Sequence, residues 1–311
     1  MTSIKKLSQI IIWEYYKSII VDMKNQKLDY LLRSALNSTQ EKKCPYCGST
    51  DVEKIDSKYI FTSLLNCKKC SFNHRHPKDD EQWLQKFYQK EYNIETHMTL
   101  MPSANEIEKL KEDNFPKLRL YDKYIQALFK SKPNVKMIDY GCSWGYNVFK
   151  LIKSGFNAVG FELSVPRAEF GIKNLAVPII FDIEKLPAAN DLILSSHVIE
   201  HLSDISGFVA LSKKLLTTDG VFMAFCPNGT DAYRKREPHI WHINWGLVHP
   251  NYLTIEFAQF VFKNNPYLIL TGDWDFNAEE ISNWDGKSQV VGALKEGMEL
   301  LIIAKPNIGI K

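Results

Sequence analysis

The sequence predicts an α/β protein in which a doubly wound parallel sheet follows a small cysteine-rich module and helical segments. Three observations predict it. From "VKMIDY" onward, short apolar runs alternate with helical stretches, and that alternation implies parallel strands joined by right-handed crossovers. Residues 44–70 hold two C-x-x-C pairs, the spacing of a compact metal module. Between the two regions "SKPNVK" marks a turn-rich boundary. The divisions drawn are a helical segment over 1–40, a ribbon over 41–78, a helical connector or lid over 79–131 and the α/β domain over 132–311.

In chain order, the start "MTSIKKLSQIIIWEYYKSIIVDM" places Ile11, Ile12, Tyr15, Ile19 and Ile20 on one face of a helix. Its apolar run is short and Glu14 interrupts it, which fits neither a signal-peptide core nor a membrane span. A cytoplasmic location is the expectation. With 45% hydrophobic and 24% charged residues, the composition is that of a globular chain. Residues 1–78 carry 14 Lys/Arg against 7 Asp/Glu, while the remainder carries 25 against 29. A basic amino-terminal part of this kind meets either phosphates or solvent.

Cys44 and Cys47 form the first knuckle, and Cys67 and Cys70 the second. Each knuckle turns two thiolates to one side, and two knuckles supply the four sulfurs of a closed, tetrahedral structural zinc site. His74 and His76 follow but are not needed as ligands. Cys142 and Cys226 lie far apart in apolar runs and are expected to stay reduced. Helices are then expected around Trp83, Phe87 and Tyr88 and over roughly 104–130. The sheet reads as "VKMIDY", "NAVGFE", "VPIIFD", "DLILSS" and "GVFMAFC", with helices over 145–154, 165–175 and 205–217 between them. "YLILTGDWDF" and "GMELLIIAKP" read as two further strands, an antiparallel edge pair.

Ligands of such a sheet bind beyond the carboxyl ends of its strands. The first strand ends in Asp139 and leads through Gly141, Cys142, Ser143 and Gly145 into a helix, a turn that lets a ligand approach the backbone. The second ends in Glu162, about 20 positions on, where a carboxylate grips ribose hydroxyls. The third ends in Asp182 and Ile183. Three such tips together predict a nucleoside pocket.

On "MIDYGCSWGY", "AVGFELS", "FDIEKLP", "DLILSSHVIEHL" and "GVFMAFCPNG", the chain resembles the class I S-adenosylmethionine-dependent methyltransferases, with a Rossmann-like sheet over roughly 134–305. The resemblance implies that Asp139, Gly141, Cys142, Ser143 and Gly145 hold the methionine part of the cofactor. It implies Glu162 and Leu163 at the ribose, Asp182 and Ile183 at the adenine, and Ser196 at the fourth strand tip. Ser143 stands where the family usually has a glycine. The ribbon and "FYQKEY" resemble methyltransferases with an amino-terminal zinc module, several of which modify sugars or polysaccharide precursors. Sugar C-methyltransferases of this kind carry a further carboxyl-terminal domain, so an oxygen or nitrogen acceptor on a small molecule is expected here.

His197, Glu200 and His201 spell H-x-x-E-H, the signature of a helical zinc-hydrolase site. Directly after a strand it reads instead as the rim of the cofactor pocket. His197 is the expected general base, and Glu200 and His201 are expected to brace the next helix. Residues 227–251 are expected to cover the substrate, with His239, His242, His249, Trp241 and Trp245 as an acceptor pocket in which His249 is a second catalytic candidate. Arg234, Lys235 and Arg236 would suit a phosphate or face solvent. The alternatives are an RNA methyltransferase, suggested by the basic ribbon, and a non-catalytic binding protein. Nucleic acid is the weaker expectation because the ribbon lacks interleaved aromatic residues.

Overall fold

The computed structural model describes residues 28–79, 83, 101–112, 121–130, 132–247, 249–292 and 295–308. The expected amino-terminal helix face and the positions Phe87 and Tyr88 lie outside them. The ribbon contributes β1 (Val52–Lys58), β2 (Thr62–Cys67) and β3 (Asn73–His76), paired antiparallel in that order. The main sheet is built from β4 (Lys136–Tyr140), β5 (Asn157–Phe161), β6 (Ile179–Ile180), β7 (Asn190–Ser196) and β8 (Leu216–Pro227). After β9 (Asn251–Tyr252) come β10 (Tyr267–Gly272), β11 (Gln289–Val291) and β12 (Glu299–Ala304). Its order is β11-β10-β12-β8-β7-β4-β5-β6.

Strands β4 to β8 pair parallel, so both faces are covered by crossover helices and the strands read as near-continuous apolar runs. Alternate side chains feed opposite faces. Met137, Leu192, Leu194, Met223 and Phe225 enter one core, and Ile138, Ile193, Phe222 and Ala224 the other. The two expected carboxyl-terminal strands do pair antiparallel, Tyr267 opposite Ala304. They are not the edge, however. β12 sits between β10 and β8, and β11 adds beyond β10 in parallel, Leu268 opposite Gln289. Three half-buried residues carry too short a pattern to have been predicted.

The ribbon is not a separate appendage. Its sheet is completed by β9 from the α/β domain, with Asn73 opposite Tyr252 and His74 opposite Asn251. Cys44, Cys67, Cys70 and Phe72 are buried in the same core as Leu253, Ile255 and Phe257. Phe72 stacks on Phe257 at 4.4 Å between ring centroids, and Tyr46 meets Phe257 edge-on at 4.9 Å. Full burial of each such ring contributes roughly 1.5–3 kcal/mol. The helix Ile255–Val261 that presents Phe257 starts at Thr254, whose side-chain oxygen accepts from the Phe257 amide at 3.0 Å. Among the described residues, no helix is long and apolar enough to cross a membrane.

Candidate active site

The first strand tip is a tight turn held against β5. The amides of Gly141 and Cys142 both donate to the Phe161 carbonyl, at 2.8 and 2.9 Å. Gly141 has φ +81°, and a Cβ there would lie 2.4 Å from Val198 Cγ2, so glycine is required twice over. Gly145, at φ +77°, starts the helix Tyr146–Lys153 and packs on Ile179 and Val177. Ser143 lies in the same left-handed region, φ +53°. Its amide donates to Glu162 Oε2 at 2.9 Å and its hydroxyl accepts from Arg167 Nη1 at 2.8 Å. These bonds hold a conformation that costs an ordinary residue about 1–2 kcal/mol. Arg167 is 1% exposed. Sequence reasoning missed it, because a lone Arg in an amphipathic helix reads as a surface residue.

Two carboxylates lie under this turn, Asp139 buried and Glu162 half-buried. Asp139 accepts from Asn147 Nδ2 at 3.0 Å. Burial raises its pKa to about 7, the Asn147 bond opposes this, and the charge of Glu162 adds to it. Glu162 accepts backbone amides on both oxygens, from Ser143 and, at 2.8 Å, from Ser164. Burial still raises its pKa above the ordinary value. Cys142, buried and not in a disulfide, lies beneath the turn with its thiol pushed up by burial.

At the neighbouring tips, apolar side chains face outward. Leu163 is 50%, Phe181 47% and Ile183 40% exposed. Asp182 opens a 3-10 turn, accepting from the Glu184 amide at 3.1 Å and pairing with Lys185 at 3.2 Å. The structure thus gathers Gly141, Cys142, Ser143, Gly145 and Glu162 around one hydrogen-bonded turn, with Asp139 at its base on Asn147 and Leu163, Asp182 and Ile183 along its rim.

The fourth tip carries Ser196, whose hydroxyl bonds the Tyr121 hydroxyl, and then His197 at φ +53°. His197 Nε2 lies 2.7 Å from Glu299 Oε1, and its Nδ1 3.3 Å from Glu200 Oε1. Burial disfavours the charged ring, but the two carboxylates outweigh it and raise the pKa to about 9. Both nitrogens thus face carboxylates, which favours the charged ring, whereas the base expected of it would have to be neutral. Glu200 is fully buried and, against its burial, is held at about 2 by His197 and the neighbouring histidines. Nor do Glu200 and His201 brace the next helix by capping it. They form the 3-10 turn Ile199–His201, and the helix Ile205–Leu215 is capped by Asp204, which accepts from the Gly207 amide at 2.8 Å. Trp274, 52% exposed, stacks on His197 at 6.3 Å. It came from the far loop after β10, where no motif announced it.

The expected acceptor pocket in 227–251 is largely a bracket for the ribbon. Trp241 and Trp245 are each 1% exposed and pack with Leu64, Tyr233 and Tyr252, so neither ring can stack on a substrate. Trp245 Nε1 donates to Asp56 at 2.9 Å, and His242 Nδ1 lies 2.7 Å from the same oxygen. His239 is exposed. Arg234 donates to the Ile55 carbonyl at 3.0 Å, and Arg236 forms a bidentate pair with Asp273, which leaves both arginines engaged rather than waiting for phosphate. His249 alone of this group reaches the strand tips, its ring 4.7 Å from that of His201.

The four ribbon cysteines converge as expected. Cys44 and Cys70 sulfurs are 3.6 Å apart, Cys47 and Cys67 sulfurs 3.5 Å, and all four lie within 4.8 Å of one another. The Gly48 amide donates to the Cys44 carbonyl and the Ser71 amide to that of Cys67, closing the two knuckles. Hydrogen bonding with Cys70 lowers the Cys44 thiol to about 5, while that of Cys70 is pushed up.

A methyltransferase-domain family model matches residues 110–259. The ubiquinone biosynthesis O-methyltransferase of Pelagibacter ubique is 28% identical over 114 residues, 34% of this chain. The chain spans about half the length of that curated relative, 48%. Among solved structures, a TehB-like S-adenosylmethionine-dependent methyltransferase from Corynebacterium glutamicum superposes with TM-score 0.41 and 15% identity, covering 64% of this chain and 95% of its own. The geranyl diphosphate C-methyltransferase of Streptomyces coelicolor gives 0.42 and 15%, covering 72% and 97%. Over residues 110–259, just under half of its length, the chain is thus similar to methyltransferase domains.

Proposed function

We propose that this chain transfers the methyl group of S-adenosylmethionine to an oxygen of a small, ring-bearing acceptor, and that a structural zinc ion on Cys44, Cys47, Cys67 and Cys70 holds its ribbon. The observation that carries the first part is the pair of acids beneath the glycine turn, one buried and one half-buried. Asp139 and Glu162 are both pushed toward protonation by burial. A cationic ligand restores their charged forms, and the methionine ammonium of the cofactor is such a cation. Glu162 retains acceptor capacity beyond its two amide bonds, which suits ribose hydroxyls. Exposed Leu163, Phe181 and Ile183 offer an apolar wall to adenine.

The sulfonium methyl is already activated, so the protein's main task is to align the acceptor in line with the methyl–sulfur bond. His197 acts here as a fixed positive group that positions Glu200 and Glu299, and His249 stands on the acceptor side. The exposed Trp274 indole beside His197 gives a flat wall for a sugar or other ring. The oxygen acceptor follows the curated relative's description as an O-methyltransferase. Sugar precursors and other natural-product precursors fit this wall equally. Against methylation of RNA, two of the ribbon's cations are engaged within the protein: Lys58 on the Ile243 and Trp245 carbonyls, and Arg75 on Asp79 and two further carbonyls of that loop.

The direct test is calorimetric titration of the zinc-loaded protein with S-adenosylmethionine. Stoichiometric binding is expected. A folded protein that binds no cofactor would overturn the enzymatic reading in favour of a binding protein.

A further inference from the structure

The H-x-x-E-H string supplies part of a site that no helical spacing describes. We propose that Glu200, His201 and His249 together bind one divalent transition cation beside the fourth strand tip, separate from the ribbon cysteines. One donor atom from each of the three lies within 4.8 Å of the others, so small side-chain rotations bring all three to the roughly 2.0–2.2 Å of metal–nitrogen and metal–carboxylate bonds. His197, which a helical reading of the string would use, is not one of them. Both its nitrogens face carboxylates.

Three features prepare the site. Glu200 is fully buried, and its Oε2 has no hydrogen-bond partner among the described residues. A buried carboxylate oxygen without a partner is costly unless something charged meets it. The tautomer of His249 is fixed next, because its Nδ1 lies 2.6 Å from the Asn244 carbonyl. A carbonyl can only accept, so Nδ1 carries the proton and Nε2 keeps the lone pair that a cation needs. Finally, the two parts of the site are tied together. Asn251 Nδ2 donates to the carbonyls of Ile199 and Leu202, at 3.2 and 2.6 Å, and so fastens the segment after His249 to the turn that carries Glu200 and His201. Buried Arg75 holds the other side of that segment through the Gly246 and Leu247 carbonyls, at 3.1 and 3.3 Å.

Two imidazoles and one carboxylate suit Zn2+, Co2+, Fe2+ or Mn2+ rather than the all-oxygen coordination of Ca2+ or Mg2+. Three protein ligands leave the cation open positions, as in sites that bind exchangeable water or substrate. On the methyltransferase reading, those positions take a hydroxyl oxygen of the acceptor. The cation site itself does not depend on that reading.

Its test is titration of the zinc-loaded protein with Co2+, followed by absorption. Binding of one equivalent is expected to give visible ligand-field bands without the near-ultraviolet sulfur-to-cobalt band that thiolate ligation produces. His249→Ala and His201→Ala, each verified as folded by circular dichroism, should each weaken that binding by about tenfold or more. The proposal is overturned if cobalt gives only the sulfur band, if no cobalt binds, or if both variants bind it as the unaltered chain does. The measurement needs neither cofactor nor turnover. Its failure is therefore distinguishable from failure of the calorimetric test above.

Discussion

At the scale of single residues, the first strand tip has the least room for change. Gly141 combines φ +81° with a side chain 2.4 Å from where its Cβ would fall. Gly141→Ala therefore has to strain the backbone and displace Val198 at once, an expected loss of about 2–4 kcal/mol, visible as a lowered denaturation midpoint together with lost cofactor affinity. If Gly141→Ala melts and binds like the unaltered protein, the turn is not built as described. Asp139 gives a second expectation. Its folded-state pKa is about 7 against an ordinary 3.8, so the ligand-free protein favours the protonated acid and loses that stability as pH rises from about 4 through 7. A cation bound at Asp139 favours the carboxylate instead. Cofactor affinity, and the thermal stabilisation the cofactor confers, should therefore be larger at pH 8 than at pH 5. Asp139→Asn should flatten this contrast, and a contrast that survives the substitution would place its origin elsewhere.

At the scale of elements, what the sequence revealed follows from how local each signal is. The strands β4, β5, β7 and β8 announce themselves because burial on both faces requires unbroken apolar runs. The glycine turn, Glu162 and the cysteine knuckles are legible because each sits at a fixed distance along the chain from its partner. β11 and the placement of β12 inside the sheet depend on pairing between distant segments, which periodicity does not encode. Trp241 and Trp245 mislead for a related reason. Aromatic residues in a loop read as a stacking surface until the ribbon arrives to bury them. Arg167, Glu299 and Trp274 are invisible to motif reasoning because their partners lie between 24 and about 100 residues away. The same long-range packing makes the helix Ile255–Val261 a testable joint. Phe257→Ala removes the ring that stacks on Phe72 and meets Tyr46, and should cost about 3–5 kcal/mol. Chemical denaturation would measure it, and a cost below about 1 kcal/mol would mean that the ribbon does not depend on this contact.

At the scale of the whole molecule, the ribbon's sheet takes its fourth strand, β9, from the α/β domain and the two share a core. The ribbon and the segment that carries His249 are therefore mechanically one piece. β3 pairs with β9 directly after His249, the Arg75 amide donates to the Pro250 carbonyl at 2.7 Å, and the Arg75 side chain holds the loop before it. A ribbon that lost its zinc would therefore release the segment that carries His249 while leaving the glycine turn between β4 and β5 in place, since that turn is held by Phe161 and Glu162. Chelation of the zinc, or Cys44→Ser, should raise amide hydrogen exchange over residues 44–76 and 246–254 and leave residues 136–145 and 157–162 protected. Cofactor affinity should fall by less than about tenfold, whereas methyl transfer should be lost. Equal deprotection of both regions would instead make the zinc a support of the whole fold. Unchanged exchange at 246–254 would show that the ribbon and the acceptor side are not coupled at all.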